Sequence, residues 1–129
     1  MREVVTGPQV PAALGPYSPG VRAGGLLFVA GQAGVDPETG QPAGDTLTAQ
    51  ARQAFANLEA VLLAGGSRLD LVVDTTVLVA DVSEFAVVNS LFAEAFPNDP
   101  PARMTMQVPL PRGLLISIGA VAVVEEEAN

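Results

Sequence analysis

The sequence predicts an α+β domain, a two-layer sandwich in which two helices cover one face of a six-stranded mixed sheet. Two segments, residues 45–64 and 83–96, carry apolar residues with the 3.6-residue period of a helix. The other apolar segments are short and rich in Val, Leu, Ile and Thr, which is typical of strands. A chain of 129 residues is long enough for one core but not for two. We therefore predict a single domain over residues 1–129.

The chain begins with a short strand and a long loop, and the loop contains the chain's single tyrosine. Residues 2–5 are predicted to form an edge strand. Residues 6–19 contain Pro and Gly repeatedly, which favours an irregular loop because proline fixes φ and lacks a backbone N–H. Tyr17 lies near the end of this loop. Its ring either covers the core or lines a binding cleft, and the sequence leaves both interpretations open.

Glycines define the next two features of the chain. Gly24 and Gly25 separate the apolar runs 21–23 and 26–30, and both can adopt φ > 0, so we expect a tight hairpin. Residues 31–34 read Gly-Gln-Ala-Gly and follow the second run. Glycine lets a backbone approach another group closely, and a bulge or the end of a strand explains the pattern equally well.

The first helix is predicted over residues 45–64. One face is apolar and contains Leu47, Ala51, Ala54, Phe55, Leu58, Val61 and Leu62. The other face is predicted to hold the polar residues Gln50, Arg52, Gln53, Asn57 and Glu59. We expect Asp45 or Thr46 to cap the start of the helix, and the pair Gly65-Gly66 to end it.

A strand and a second helix follow. Residues 71–80 are rich in Val and Thr, which predicts a largely buried strand. Ser83 is expected to cap the second helix. The apolar stripe of that helix contains Phe85, Val88, Phe92 and Phe96. Asn89 lies beside the stripe, and its position fits a cap, the surface or a pocket.

Prolines in the segment 97–101 end the second helix, and strands at residues 104–108 and 114–124 complete the order β-β-β-α-β-α-β-β. Arg103 stands at the start of the first of these strands. A buried cation without a partner is costly, so this guanidinium requires one. A ligand carboxylate suits its planar set of donors, and an Asp or Glu of the chain itself is the alternative.

The composition excludes many kinds of chemistry. The chain has no Cys, His, Lys or Trp, which removes thiol nucleophiles, Cys/His zinc sites, Ser-His-Asp triads and Schiff-base lysines. None of its 14 carboxylates lies in an EF-hand pattern, so we predict no metal site, and the Glu125-Glu126-Glu127 run is interpreted as a solvated tail. The remaining chemistry must use Arg, Tyr, Ser, Thr, carboxylates, backbone groups and water.

The charge and hydropathy indicate which partners to expect. A net charge of −8 argues against binding to nucleic acid or to an anionic membrane surface. No signal peptide is visible, so we expect a cytoplasmic protein. The hydrophobic fraction is 49% and the mean hydropathy is +0.38. Because no element remains to cover the second face of the sheet, we expect another copy of the chain to cover it.

Several segments together carry a family resemblance. They are Gly15-Pro16-Tyr17-Ser18-Pro19-Gly20, Leu27-Phe28-Val29-Ala30-Gly31-Gln32, Asp36-Pro37-Glu38-Thr39-Gly40, Asn57-Leu58, Asn89, Pro101-Ala102-Arg103 and Leu110-Pro111. In order and spacing, nearly the whole chain resembles the RidA/YjgF family of imine and enamine deaminases. The resemblance implies a chorismate-mutase-like fold, assembled as a homotrimer through the uncovered sheet face, with three ligand clefts between subunits.

The resemblance also implies a reaction and the residues that carry it. Family members hydrolyse reactive 2-imino or 2-enamino acids to 2-keto acids and ammonia without a cofactor. Arg103 is implied to bind the substrate carboxylate through two contacts, and Thr105 to add a backbone N–H. Tyr17 and the backbone around Gly31 are implied to line the same cleft. An imine carbon is already electrophilic, so positioning and electrostatics suffice without a covalent nucleophile.

The last strand departs from the family pattern. Deaminating members carry Glu-Ile-Glu there, whereas this chain has Ile116-Ser117-Ile118-Gly119. Ser117 can hydrogen-bond a water but cannot act as a general base at neutral pH. The alternative is a non-catalytic trimer that binds small carboxylates. The candidate catalytic residues are Arg103, Tyr17 and Ser117, and the candidate substrate-binding residues are Arg103, Thr105, Tyr17, Gly31 and Asn89.

Overall fold

A computed structural model describes residues 1–125 and confirms the predicted fold class and the order of its elements. The strands are β1 Glu3–Val4, β2 Gly20–Ala23, β3 Leu26–Ala33, β4 Val72–Val79, β5 Ala102–Gln107 and β6 Ile116–Val123. The helices are α1 Leu47–Ala64 and α2 Phe85–Ala95, with short 3₁₀ turns at Leu69–Leu71 and Val82–Glu84. No helix within the described residues is both long and apolar enough to cross a membrane.

The strands form one mixed sheet in the order β1-β2-β3-β6-β4-β5. Only β4 and β5 are parallel, and the other neighbours are antiparallel. The predicted hairpin between β2 and β3 is confirmed, with φ of 59° at Gly24 and 78° at Gly25. The last strand, β6, lies at the centre of the sheet, and β5 forms an edge. This order brings Ser117 to the centre and Arg103 to the edge.

The core lies between the sheet and the two helices. Strand β6 shows how the sheet separates its faces, because Ile116, Ile118, Ala120 and Ala122 are buried while the residues between them are only half-buried. The opposite face, which we call the open face, carries no helix in the described part of the chain. Its exposed apolar side chains include Phe28, Met104, Met106 and Val123.

The polar residues of α1 correct one prediction. Thr46 caps the helix, as expected, by accepting the Ala49 N–H at 3.2 Å. Gln50 and Asn57, however, are buried at 1% and 4% exposure instead of lying on a polar face. The 3.6-residue period assigns each residue to a face of the helix, but it cannot show that a polar side chain will find partners in the core. Here both amides are buried because they donate to backbone carbonyls of neighbouring segments.

Each buried amide attaches α1 to a neighbouring loop. Asn57 Nδ2 donates to the carbonyls of Ala33 and Val35 at 3.1 and 2.9 Å, at the end of β3. Between these two residues lies Gly34, where an added Cβ would collide with the Gln50 carbonyl oxygen. The backbone just after β3 therefore lies against the backbone of α1 at Gly34, and this close approach is one of the two alternatives that the sequence left open for segment 31–34.

The start of α2 corrects a second prediction. Ser83 does not cap the helix. Its N–H donates instead to Asp81 Oδ1 at 2.9 Å, which begins the 3₁₀ turn before α2. Of the predicted apolar stripe, Val88, Phe92 and Phe96 are buried, but Phe85 is 41% exposed. The apolar stripe therefore joins the core only after the first turn of the helix, and Phe85 lies outside the core.

Candidate functional site

Arg103 lies inside β5, on the same sheet face as the helices. The strand starts at Ala102, earlier than predicted, because the parallel pairing with β4 already begins at Asp74 and Ala102. Arg103 pairs with the buried residue Thr75 and therefore shares its face. Its guanidinium extends from the sheet edge towards α2. This places one of the chain's six basic groups beside the helix that carries Asn89.

Three side chains of α2 hold this guanidinium. Arg103 Nη2 donates to Asn89 Oδ1 at 2.6 Å. The guanidinium carbon lies over the rings of Phe85 and Phe92, at 5.3 and 4.8 Å from their centroids. Both distances are within the range of a cation–π interaction. The amide uses one of the five N–H donors, so most of the donors are left for another acceptor.

No acid of the described chain neutralises Arg103. The ion pairs within residues 1–125 join Arg52 to Glu94 and Arg68 to Asp70 and Glu125. Hydrogen bonds from Arg68 to Glu125 and the nearby Asp70 raise the pKa of Arg68 above its ordinary value, but this group lies outside the site. The alternative that Arg103 serves an internal Asp or Glu is therefore not seen in the described residues.

An open groove of about 510 Å³ lies beside the guanidinium. Its walls are Asn89, Phe92, Ala93, Phe96, Pro97, Pro100, Pro101 and Arg103. Apart from Asn89 and Arg103, these side chains are apolar. The groove therefore offers one positive group in apolar surroundings, where electrostatic attraction to an anion is screened less than in water.

Backbone donors of β5 face the same edge. Val108 N–H donates to the Val79 carbonyl, which directs the even-numbered N–H groups of this segment towards β4. Successive residues of a strand point their backbone groups in opposite directions, so the N–H groups of Arg103 and Thr105 point to the free edge. The Thr105 hydroxyl is buried and has no hydrogen-bond partner in the described structure. A ligand at this edge would thus meet a guanidinium and free N–H groups.

Tyr17 and Gly31 lie together elsewhere, around a small cavity of about 90 Å³. The Tyr17 hydroxyl accepts the Leu14 N–H at 3.1 Å, and its ring is 47% exposed, so it does not plug the core. Gly31 lies in a bulge of β3, where the pairing with β6 shifts between Val29 and Gln32. The bulge is one of the two alternatives that the sequence had left open for this segment.

Ser117 meets this second group from β6. A Cβ added at Gly31 would stand 2.7 Å from Ser117 Oγ, so a larger residue there would require the hydroxyl to move. Ser117 pairs with Leu78, which pairs in turn with Met106, and all three belong to the open face. The hydroxyl therefore lies on the face of the sheet opposite to Arg103.

The predicted site residues thus form two groups. The guanidinium group contains Arg103, Asn89 and Thr105, on the helix side of the sheet edge. The loop group contains Tyr17, Gly31 and Ser117, at the open face and the loop before β2. Within one chain the two groups do not meet. No three Asp or Glu side chains within residues 1–125 lie close enough to hold a metal ion.

Two contributors to the site, Phe85 and Phe92, were not predicted as site residues. Both were assigned to the apolar stripe of α2, and residue spacing alone cannot distinguish a ring that packs in the core from one that contacts a cation. The sequence held one signal for Phe85. The predicted apolar stripe begins at Phe85 in the first turn of the helix, whereas the structure buries only the later members of the stripe.

Comparison with known sequences identifies the family. The sequence profile described as Endoribonuclease L-PSP matches residues 7–124. The chain belongs to this family, the RidA/YjgF family. It is 40% identical over 123 residues to a RutC family protein of Pyrococcus horikoshii, covering 95% of this chain and 98% of that protein.

Two further comparisons concern activity and ligand binding. The mouse protein named 2-iminobutanoate/2-iminopropanoate deaminase is 40% identical over 124 residues, covering 95% of this chain and 92% of its own length. The crystal structure of E. coli TdcF with bound serine superposes with a TM-score of 0.86 at 31% identity, covering 95% of this chain and 99% of that one. The RidA/YjgF fold that the resemblance implied is therefore confirmed.

Proposed function

We propose that this chain hydrolyses 2-imino and 2-enamino acids to 2-keto acids and ammonia, and that Arg103 binds the substrate carboxylate. The observation that carries the proposal is the guanidinium, which α2 holds in place and which no acid within residues 1–125 neutralises. The name of the mouse relative supports the reaction class. The serine bound to TdcF supports a ligand that carries a carboxylate next to a nitrogen-bearing carbon.

The reaction needs little from the protein beyond positioning. An enamine first takes a proton on carbon to become the iminium ion, which is the protonated form of the imine. Water then adds to the carbon of this C=N bond, a proton moves from the added oxygen to the nitrogen, ammonia leaves from the tetrahedral adduct as the C=O bond forms, and the remaining proton on oxygen is released. Arg103 and the edge N–H of Thr105 hold the carboxylate and keep the reacting carbon in place. Ser117 and Tyr17 supply hydroxyls that can orient the water, and neither serves as a strong base.

We further propose that the working form is a homotrimer in which one subunit's guanidinium group meets another's loop group. The two groups lie on opposite faces of the sheet in a single chain, so a second copy is required to bring them around one substrate. The exposed apolar residues of the open face give that copy a surface to bury. Each of the three clefts would then contain residues of two chains.

The test is to measure deamination with an imino acid made in the assay by an amino-acid oxidase. Arg103→Ala removes charge-assisted hydrogen bonds to the carboxylate and should lower kcat/KM by roughly 100-fold or more. Arg103→Lys keeps the positive charge but loses the planar donor set, so its kcat/KM should lie between those of wild type and Arg103→Ala. Arg52→Ala, which removes an exposed arginine paired with Glu94, is the matched control and should behave as wild type.

The outcome separates the two candidate functions. If wild-type protein does not exceed the uncatalysed rate, the deaminase proposal is wrong. A non-catalytic trimer that binds small carboxylates is then favoured, because Ser117 lies in the segment where the resemblance implies a glutamate in deaminating members. That second function predicts binding of 2-oxobutanoate by calorimetry, lost in Arg103→Ala, without turnover of the imine.

A further inference from the structure

We propose that Phe85 is a positioning residue, whose ring holds the Arg103 guanidinium in the orientation that receives the carboxylate. The inference rests on the proposed function, since it concerns the same arginine. It goes further because Phe85 would raise the affinity for the ligand without touching it, through its contact with the arginine.

The geometry around Arg103 supports this role. The guanidinium carbon stands 5.3 Å from the Phe85 centroid and 4.8 Å from that of Phe92, while Asn89 binds Nη2. The two rings lie seven positions apart on α2, so both are on the same side of the helix. Asn89 is four positions from Phe85 and shares that side. Three contacts from one rigid element therefore restrain a side chain that otherwise has many rotamers.

The two rings have different surroundings. Phe92 is buried and packs with Phe55 and Phe96, with centroid distances of 6.4 and 4.7 Å, so it serves the core as well as the arginine. Phe85 is 41% exposed and belongs to no such group of rings. A large exposed aromatic side chain contributes little to the core. Within residues 1–125, the ring of Phe85 contacts the Arg103 guanidinium instead.

The consequence is a prearranged donor. If the ring is removed, the guanidinium must be ordered again each time a carboxylate binds, and part of the binding free energy is lost. The attraction between an Arg and an exposed aromatic ring suggests roughly a two- to fivefold weaker affinity. The attraction depends on the π-face of the ring, so Trp and Tyr preserve it and Leu does not.

The experiment measures binding and turnover for Phe85→Leu, Phe85→Tyr and Phe85→Trp. Val82→Ala is the matched control, because it removes exposed apolar area three residues earlier without touching Arg103. We expect Phe85→Leu to raise the calorimetric Kd for 2-oxobutanoate and the KM for the imine about two- to fivefold. KM should change more than kcat does. The Tyr and Trp variants should stay close to wild type, and thermal stability should change no more than in the control.

The results separate this inference from the proposed function. If Arg103→Ala abolishes binding but Phe85→Leu binds as wild type, the positioning role is wrong and the arginine's role is retained. If the Tyr and Trp variants are as weak as the Leu variant, the π-face is not what matters, and the inference is also overturned. If Arg103→Ala still binds the 2-oxo acid normally, both proposals fail together.

Discussion

Replacing Gln50 by Leu tests how the loops around the last strand are held. The Gln50 amide donates to the carbonyls of Gly44 and Gly113 at 2.9 and 3.1 Å, and its oxygen accepts the Leu115 N–H at 2.8 Å. One side chain on α1 thereby fixes two separate loops, one of which leads directly into β6. Leu has a similar volume, so the change removes hydrogen bonds without opening a large cavity.

The expected loss can be worked out from these three bonds. A buried group left without its partner costs about 1–3 kcal/mol, and water can replace part of this at Gly113, which is exposed. The Leu115 N–H is half-buried and loses the most. Added apolar burial by Leu offsets about 1 kcal/mol. We therefore expect Gln50→Leu to lower the free energy of unfolding by roughly 2–4 kcal/mol, a large share of a typical total.

The assay is urea denaturation followed by circular dichroism, at one fixed protein concentration because the proposed assembly would make stability depend on concentration. Gln53→Leu is the matched control. Its amide lies half-buried one turn along the same helix and donates only to Asn57 Oδ1, at 2.9 Å. It should cost about 1 kcal/mol or less. A Gln50→Leu variant no less stable than Gln53→Leu would refute the claim that this amide anchors the loops.

Two further predictions concern single polar groups. Thr105→Val removes a buried hydroxyl that has no partner within residues 1–125, so stability should rise or stay level. Binding of 2-oxobutanoate should be retained, because Val keeps the backbone N–H proposed to hold the carboxylate, and destabilisation by about 1 kcal/mol or more would contradict this. Hydrogen bonds from the Ser83 side chain and backbone lower the pKa of Asp81 from its ordinary 3.8. The carboxylate therefore stabilises the fold above its unfolded-state pKa and loses this effect as the pH falls through the lower, folded-state pKa. The stability difference between wild type and Asp81→Ala, followed in urea from pH 6 to 3, should shrink towards acid, and a difference that grows would contradict the assignment.

The sequence predicted those parts of the fold that follow from periodicity and turn chemistry. Alternation in β6 and the 3.6-residue stripe of α1 each define one buried face, and Gly24-Gly25 permits one type of hairpin. It did not predict which polar residues the core accepts. Gln50 was assigned to the polar face, because its burial depends on carbonyls supplied by loops that are distant in sequence.

The sequence named the candidate site residues one by one, but it did not predict how they are arranged. The proximity of Asn89 to Arg103 depends on how α2 packs against β5, and the separation of Arg103 from Ser117 depends on strand register. A shift of one residue in the pairing of β5 would move Arg103 to the other face of the sheet. Local patterns do not contain this information, since register is decided by pairing between distant segments.

The side chains of strand β5 alternate between the two faces of the sheet, so one strand contributes both to the open face and to the candidate site. Its even residues Met104 and Met106 lie exposed on the open face, while its odd residues Arg103 and Thr105 lie on the helix side. As an edge strand it has no neighbour beyond it in the described sheet, so a copy that buries the two methionines would also reach the edge where the N–H groups of the odd residues point. We infer that the apolar surface proposed to bind a second copy and the donors proposed to bind the carboxylate belong to the same six residues. Losing the association would then remove the second half of the site without changing any residue that binds the substrate.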